Sequence, residues 1–205
     1  MLDDRFEALG RERKTALIIP DLQRKRLPLL IGLSGRIAAG KTTAARWIER
    51  MGFAYTRFSL VIDDEISALS LTHNRATRQQ IGIKIHDERG QAWLCNKAIA
   101  RVGDAQAIVV DGLRWPEDHA YFVEHFGTRF VHCHIKASSN MRFDRVASDV
   151  GDRAAFNAID LQPVEAMIDT LGLLAAIEIE NGGTLEQFEA EIGCMMISLV
   201  SEVQR

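Results

Sequence analysis

The chain has 205 residues, 47% of them hydrophobic and 26% charged, which suits one globular domain and excludes a disordered, collagen-like or low-complexity chain. Its 28 acidic and 25 basic residues leave a net charge of −3, which argues against a broad cationic surface for a nucleic-acid polymer. Three widely spaced cysteines (Cys95, Cys133, Cys194) offer neither a disulfide framework nor a CxxC knuckle, and no apolar run reaches the ~18 residues of a membrane span, so a cytoplasmic protein without membrane contacts is expected.

Residues 1–28 read as an N-terminal extension of unknown role, with a charged helix over 3–17 and a basic knot, Arg24-Lys25-Arg26, ending at Pro28. The knot reads as a solvated loop, and the extension as an element that packs on the sheet edge, mediates a dimer or regulates the site. Early acids and the lack of an apolar core make it no secretory signal. Residues 29–205 read as the folded domain. Strands are expected at 29–34, 54–60, 107–111, 130–135 and 175–180, several of them apolar enough for burial on both faces. Helices are expected at 42–51, 63–71, 77–102, 116–126, 138–148, 163–173 and 185–203, with Pro116 at a first helical position and Thr184 with Gln187 at capping-box spacing. Strands alternating with helices imply a five-stranded parallel α/β sheet with right-handed crossovers.

The densest signal is GLSGRIAAGKTT at 32–43, in which 35–42 satisfies G-x-x-x-x-G-K-[ST]. A loop that turns its N–H groups on a phosphate needs Gly35 and Gly40 where side chains would obstruct. The backbone of Ile37, Ala38, Ala39 and Thr43 completes the cradle, and the next helix aims its positive end at the same anion. Lys41 would reach the β- and γ-phosphates, and the Thr42 hydroxyl would ligate Mg²⁺. Asp111, closing the apolar run AIVVD, is the second candidate metal residue.

Four stretches taken together, GLSGRIAAGKTT, VVDGLRWPED (109–118), MRFDRV (141–146) and ENGGTLEQF (180–188), resemble P-loop kinases of small phosphate-bearing molecules. The likeness is to the dephospho-coenzyme A kinase-like and deoxynucleoside monophosphate kinase-like group, including its archaeal nucleotide-kinase-like members. It implies a three-layer P-loop fold with a short lid, ATP and Mg²⁺ as cofactors, and phosphoryl transfer to a small acceptor, a (deoxy)nucleoside monophosphate first. Alternatives are a dephospho-coenzyme A-like hydroxyl acceptor, or a nucleotide-dependent switch without an acceptor. The resemblance casts Arg114 as the acceptor-phosphate arginine, Arg142 and Arg145 as lid arginines closing on the phosphates, and Asn181 beside the adenine. It casts Asp63 as an acceptor-side or general-base residue, against the alternative of a solvated helix start, and Arg78 as an acceptor-phosphate contact. Arg153 is a lid candidate in a loop. The lid segment 146–153 is short and weakly basic for the family, and its acids are expected to pair with the arginines or hold a metal.

Other residues read as structural. His132 and His134 alternate on one strand face and are expected as a buried, hydrogen-bonded pair beneath a helix rather than metal ligands. His86-Asp87-Glu88 reads as solvent-facing. Trp47, Trp93 and Trp115 read as helix-to-sheet packing, and Met195 and Met196 as core or interface filler.

Overall fold

The computed structural model describes residues 29–203, so the expectations for the N-terminal extension lie outside the described residues. The strands are β1 (Leu29–Ser34), β2 (Ala54–Arg57), β3 (Ala107–Leu113), β4 (Phe130–Lys136) and β5 (Ile177–Glu180). All pair in parallel, in the order β2-β3-β1-β4-β5, so β1 lies at the centre of the expected five-stranded sheet. Every residue of β1 is buried. Alternation sends Leu29, Ile31 and Leu33 into one hydrophobic layer and Leu30 into the other. Fully burying each such side chain contributes about 1.5–3 kcal/mol.

The first layer is covered by α1 (Lys41–Arg50), whose Ala44, Ala45 and Ile48 are buried, and by α9 (Leu185–Val203) through Phe188, Ile192, Met195 and Met196. The opposite layer is covered by α2 (Phe58–Ala68), α3 (Arg75–Arg89), α4 (Gln91–Ala100) and α5 (Pro116–Phe126). Three further helices complete the described chain between β4 and β5: α6 (Ser139–Val150), α7 (Arg153–Asp160) and α8 (Pro163–Gly172).

Three elements differ from the sequence expectation. The second strand stops at Arg57, and α2 starts at Phe58 rather than near Asp63. Phe58, Val61 and Ile66 are the buried positions there, a helical spacing that an apolar run disguises as strand. The long helix expected at 77–102 breaks at Gly90, which adopts φ 77° and ψ 163° and donates its N–H to the carbonyls of Ile85 and His86. The stretch read as a lid loop contains α7, capped by the Asp152 carboxylate, which accepts the Ala155 N–H at 2.8 Å. The expected helix signals at Pro116 and Thr184 are present: α5 begins at Pro116, Gln187 Oε1 accepts the Thr184 N–H at 2.8 Å, and Thr184 Oγ1 accepts the Gln187 N–H at 3.3 Å.

Candidate phosphate site

Ser34 ends β1 and the chain turns at once through the glycine loop into α1. Gly35 has φ 147°, and a Cβ there would collide with the Ile135 carbonyl oxygen. Gly40 has φ 111°, and a Cβ there would meet the Asn181 amide. Both glycines are therefore required by backbone conformation and close approach together. Ala38 is a non-glycine residue at φ 60°, a local cost accepted within the loop.

Lys41 opens α1 and folds its ammonium back onto the loop, donating to the Gly35 carbonyl at 2.7 Å and the Arg36 carbonyl at 2.9 Å. Burial pushes its pKa down to about 8, and the neighbouring Arg114 and Arg142 guanidiniums act in the same direction against Asp111 and Glu165. Thr42, next in sequence, donates its hydroxyl to Asp111 Oδ2 at 2.7 Å. Tyr55 of β2 donates to the same oxygen at 3.2 Å. Asp111 is buried near the carboxyl end of β3, in register with Leu33 of β1. The two residues expected from sequence to hold a metal thus meet, Thr42 from the first turn of α1 and Asp111 from β3. A hydroxyl and a carboxylate are hard oxygen donors of the kind Mg²⁺ prefers.

Arg114 directly follows β3. Its backbone N–H and that of Trp115 donate to Asp118 Oδ2 at 2.8 and 3.0 Å, while Gln91 of α4 donates to Asp118 Oδ1 at 2.6 Å. Burial pushes the Asp118 carboxyl up, against the pull of those N–H bonds. Asp118 therefore sets the path of the turn that carries Arg114, a role the sequence reading missed although WPED places an acid at the third position of α5. The turn also meets α3. The His86 ring stacks on Trp115 with centroids 5.0 Å apart, and His86 Nδ1 is hydrogen-bonded to Gln91 Oε1 at 3.2 Å. This corrects the reading of His86 as solvent-facing, while Asp87 and Glu88 are exposed as expected. Trp115 packs on that ring, whereas Trp47 and Trp93 do pack against the hydrophobic layers.

The Arg114 guanidinium donates to Glu165 Oε1 at 3.1 Å, and the Ile37 N–H of the glycine loop donates to Glu165 Oε2 at 3.0 Å. Glu165 belongs to α8 and was not singled out in sequence.

The two arginines of MRFDRV share a face of α6, and both reach the loop. Arg142 is buried; it donates to both Asp160 carboxylate oxygens at 2.6 and 2.8 Å and to the Ile37 carbonyl at 3.3 Å. Arg145 donates to the carbonyls of Ala38, Ala39 and Asn181 at 3.3, 3.4 and 2.9 Å. Arg36, unassigned in sequence, bonds both oxygens of Asp169 at 3.0 and 2.7 Å and lies 3.2 Å from Asp160. The acids that pair with these arginines are Asp160 and Asp169, not those of 146–153. Asp152 caps α7 and Asp149 accepts from Ser148. Arg153 starts α7 instead of lying in a loop, and ties α7 to α6 by donating to Ser139 and Asn140, with its guanidinium 4.4 Å from the Phe143 ring centroid.

Asn181 follows β5 and is buried; its amide donates to the Ala39 carbonyl at 2.8 Å. It borders a cavity of about 490 Å³ that also contacts Lys41, Thr42, Arg145, Gly183 and Phe188. Asp63 sits within α2 rather than at a helix start, and accepts from Arg78 Nε at 2.6 Å. Partial burial pushes the Asp63 carboxyl up, but Arg78 and His73 more than offset this and leave its pKa below the ordinary value. The structure therefore unites Asp63 with Arg78, and Thr42 with Asp111, as two separate pairs.

Behind the loop, Ser34 Oγ is hydrogen-bonded at 2.7 Å both to His132 Nε2 and to His134 Nδ1, and His132 Nδ1 lies 3.1 Å from His119 Nδ1. Gly172 of α8 covers His134, with room for no side chain: a Cβ would lie 2.9 Å from the imidazole. The buried pair beneath a helix is as expected, with Ser34 and His119 as partners. Among the described residues, no group of three or more His, Cys, Asp or Glu could hold a metal ion, and no helix is long and apolar enough to cross a membrane.

No family model matches the chain. A UPF0200 protein of Pyrobaculum aerophilum is 26% identical over 176 residues, covering 83% of this chain and 98% of that protein. A UPF0200 protein of Methanosarcina barkeri is 27% identical over 170 residues, covering 80% and 91%. Among solved structures, a gluconokinase from Sinorhizobium meliloti superposes with a TM-score of 0.57 at 11% identity, covering 87% of this chain and 97% of that one. A shikimate kinase from Acinetobacter baumannii gives 0.54 at 16% identity, covering 86% and 94%. This likeness establishes the fold, a three-layer α/β sheet of the P-loop kinase type, and does not single out the dephospho-coenzyme A or nucleoside monophosphate kinase groups.

Proposed function

We propose that the chain is an ATP-dependent phosphotransferase acting on a small phosphate-bearing acceptor, with (deoxy)nucleoside monophosphates as the first class to test. The observation that carries this reading is the Thr42–Asp111 contact of 2.7 Å beside Lys41, inside a complete glycine loop. The cavity between Lys41, Asn181 and Phe188 supports nucleotide binding at that loop. Thr42 and Asp111 would hold Mg²⁺, which when bound neutralises charge on the phosphate oxygens.

The chain's own groups would position and stabilise. Loop N–H groups other than that of Ile37, which Glu165 takes, and the α1 terminus would cradle the nucleotide phosphates, while Lys41 exchanges two loop carbonyls for a phosphate oxygen. Arg114, its side chain 43% exposed, and Arg78, likewise exposed, face the acceptor side with donors to spare. Asp63 is paired with Arg78 and has a lowered pKa, which suits orienting that arginine better than taking a proton. Arg145 and Asn181 would close the nucleotide side.

A second reading, a nucleotide-dependent switch without an acceptor, draws on one observation: the Arg36 and Arg142 guanidiniums are already engaged by the Asp169 and Asp160 carboxylates, which leaves them fewer donors for a transferred phosphoryl group. A screen of nucleoside monophosphates, dephospho-coenzyme A and sugar phosphates with ATP·Mg²⁺ separates the readings. A kinase phosphorylates one acceptor at about 1–100 s⁻¹, and Lys41→Ala lowers that rate by at least ~100-fold. ATP binding with slow hydrolysis that no acceptor stimulates would establish the switch. Unchanged ATP affinity and turnover in Lys41→Ala would dismiss both.

A further inference from the structure

Glu165 is 3% exposed, and a carboxylate so deeply placed needs its oxygens satisfied. The donors that satisfy it both belong to the phosphate machinery. Oε2 takes the Ile37 N–H of the glycine loop at 3.0 Å, and Oε1 takes the Arg114 guanidinium at 3.1 Å. These donors arrive from the ends of two adjacent strands, β1 and β3, and converge on one oxyanion. A loop amide beside an arginine is the donor set that recognises a phosphoryl or carboxylate oxygen from outside. Glu165 reaches it from the first turn of α8, an element held to the loop a second time by the Arg36–Asp169 pair.

We propose that the Ile37 amide and the Arg114 guanidinium form the acceptor-side oxyanion subsite, and that Glu165 is its internal occupant, displaced when the acceptor's oxyanion arrives. The proposal rests on the kinase reading of the same site. Its ligand class is a singly bound oxyanion, from either a phosphate monoester or a carboxylate. Two anions cannot share one pair of donors without repulsion. Acceptor binding is therefore opposed by Glu165, and only a ligand that engages Arg114 strongly enters. Glu165 thus acts as a specificity-determining residue through competition rather than through contact with the acceptor.

Calorimetric titration of inorganic phosphate, and separately of acetate, into the protein saturated with ADP·Mg²⁺ tests this. Glu165→Gln keeps the shape and removes the charge; it should bind phosphate about tenfold more tightly than the wild type. Glu165→Ala, which also vacates the space, should do the same. The gain should vanish in Arg114→Gln/Glu165→Gln, and ADP affinity should be equal in all four proteins. A preference for phosphate over acetate identifies a monoester subsite, and equal gains identify a general oxyanion subsite; both support the proposal. Phosphate binding no tighter in either Glu165 variant, with ADP bound normally, overturns it. So does a gain that survives the loss of Arg114. Failure of the wild type to bind ADP instead overturns the kinase reading, and the subsite falls with it.

Discussion

At the scale of the residue, Lys41 has a property that its place in a motif does not convey. Desolvation lowers its pKa to about 8, so near neutral pH it holds its proton by a narrow margin. A bound phosphate would favour the charged form and raise that pKa again. The sign follows: binding takes up a proton above pH 8, so ATP affinity is full below the free-state pKa and declines as pH rises past it. Affinity should be constant from pH 6 to 7 and then fall by up to about tenfold per unit above 8. In Lys41→Arg, always charged, the slope should disappear. Calorimetry between pH 6 and 9.5 reads both, and a flat wild-type profile would contradict the assignment. The residues legible in sequence were those whose chemistry is local to a motif: Gly35, Gly40, Lys41, Thr42 and Asp111. Glu165, Asp160 and Asp169 were not, because an acid on a helix looks the same in sequence whether it faces water or a loop more than a hundred positions away.

At the scale of the element, the segment between β4 and β5 is the part most altered by seeing it folded. Its first and last helices, α6 and α8, match the expectation, whereas the stretch expected as a short, weakly basic lid loop forms α7; α7 and α8 direct Asp160, Glu165 and Asp169 at the glycine loop. Asp152 ahead of α7 was the missed signal, a cap residue after Gly151 that passed for loop polarity. At α2 the cause differs: a run of large apolar residues fits strand and helix alike. The Arg142–Asp160 pair sits with side-chain exposures of 5% and 14%, so removing one partner strands the other in a poorly solvated place. Asp160→Asn should therefore cost about 3 kcal/mol in urea unfolding. Arg142→Met/Asp160→Leu should cost less than the single change, since burying two apolar groups avoids the orphaned charge. If the double variant is the less stable of the two, the pair contributes net attraction beyond desolvation.

At the scale of the whole molecule, five parallel strands place the glycine loop, Asp111, Arg114 and Asn181 at their carboxyl ends, and the alternation of strands with helices was enough to expect the fold. That arrangement also buries a polar chain through its centre. His132 is pushed to about 3 by burial, with His119 and His134 acting in the same direction; His134 and His119 are themselves lowered by burial, and Lys136, Glu178 and Asp169 also act on His134. Folded pKa values below the unfolded ~6.5 mean that the unfolded chain binds more protons in this range. Stability from these groups is thus full above pH 6.5 and is lost as pH falls toward 3. His132 alone should cost about 2 kcal/mol at pH 5, lowering Tm by roughly 4–8 °C relative to pH 7. His132→Gln should flatten that dependence in calorimetric scans, and an equally steep slope in the variant would place the titration elsewhere.

The stacking of Trp115 on His86 gives the molecule an unlabelled optical sensor. One of three indoles in the chain adjoins Arg114 in sequence and rests on a ring from α3, whereas Trp47 and Trp93 belong to α1 and α4. Any event that draws the arginine turn away from α3 separates the two rings and changes the emission of that indole. Fluorescence of the unmodified protein can therefore time movements of the Arg114 turn independently of nucleotide chemistry, and Trp115→Phe identifies which part of the signal originates there.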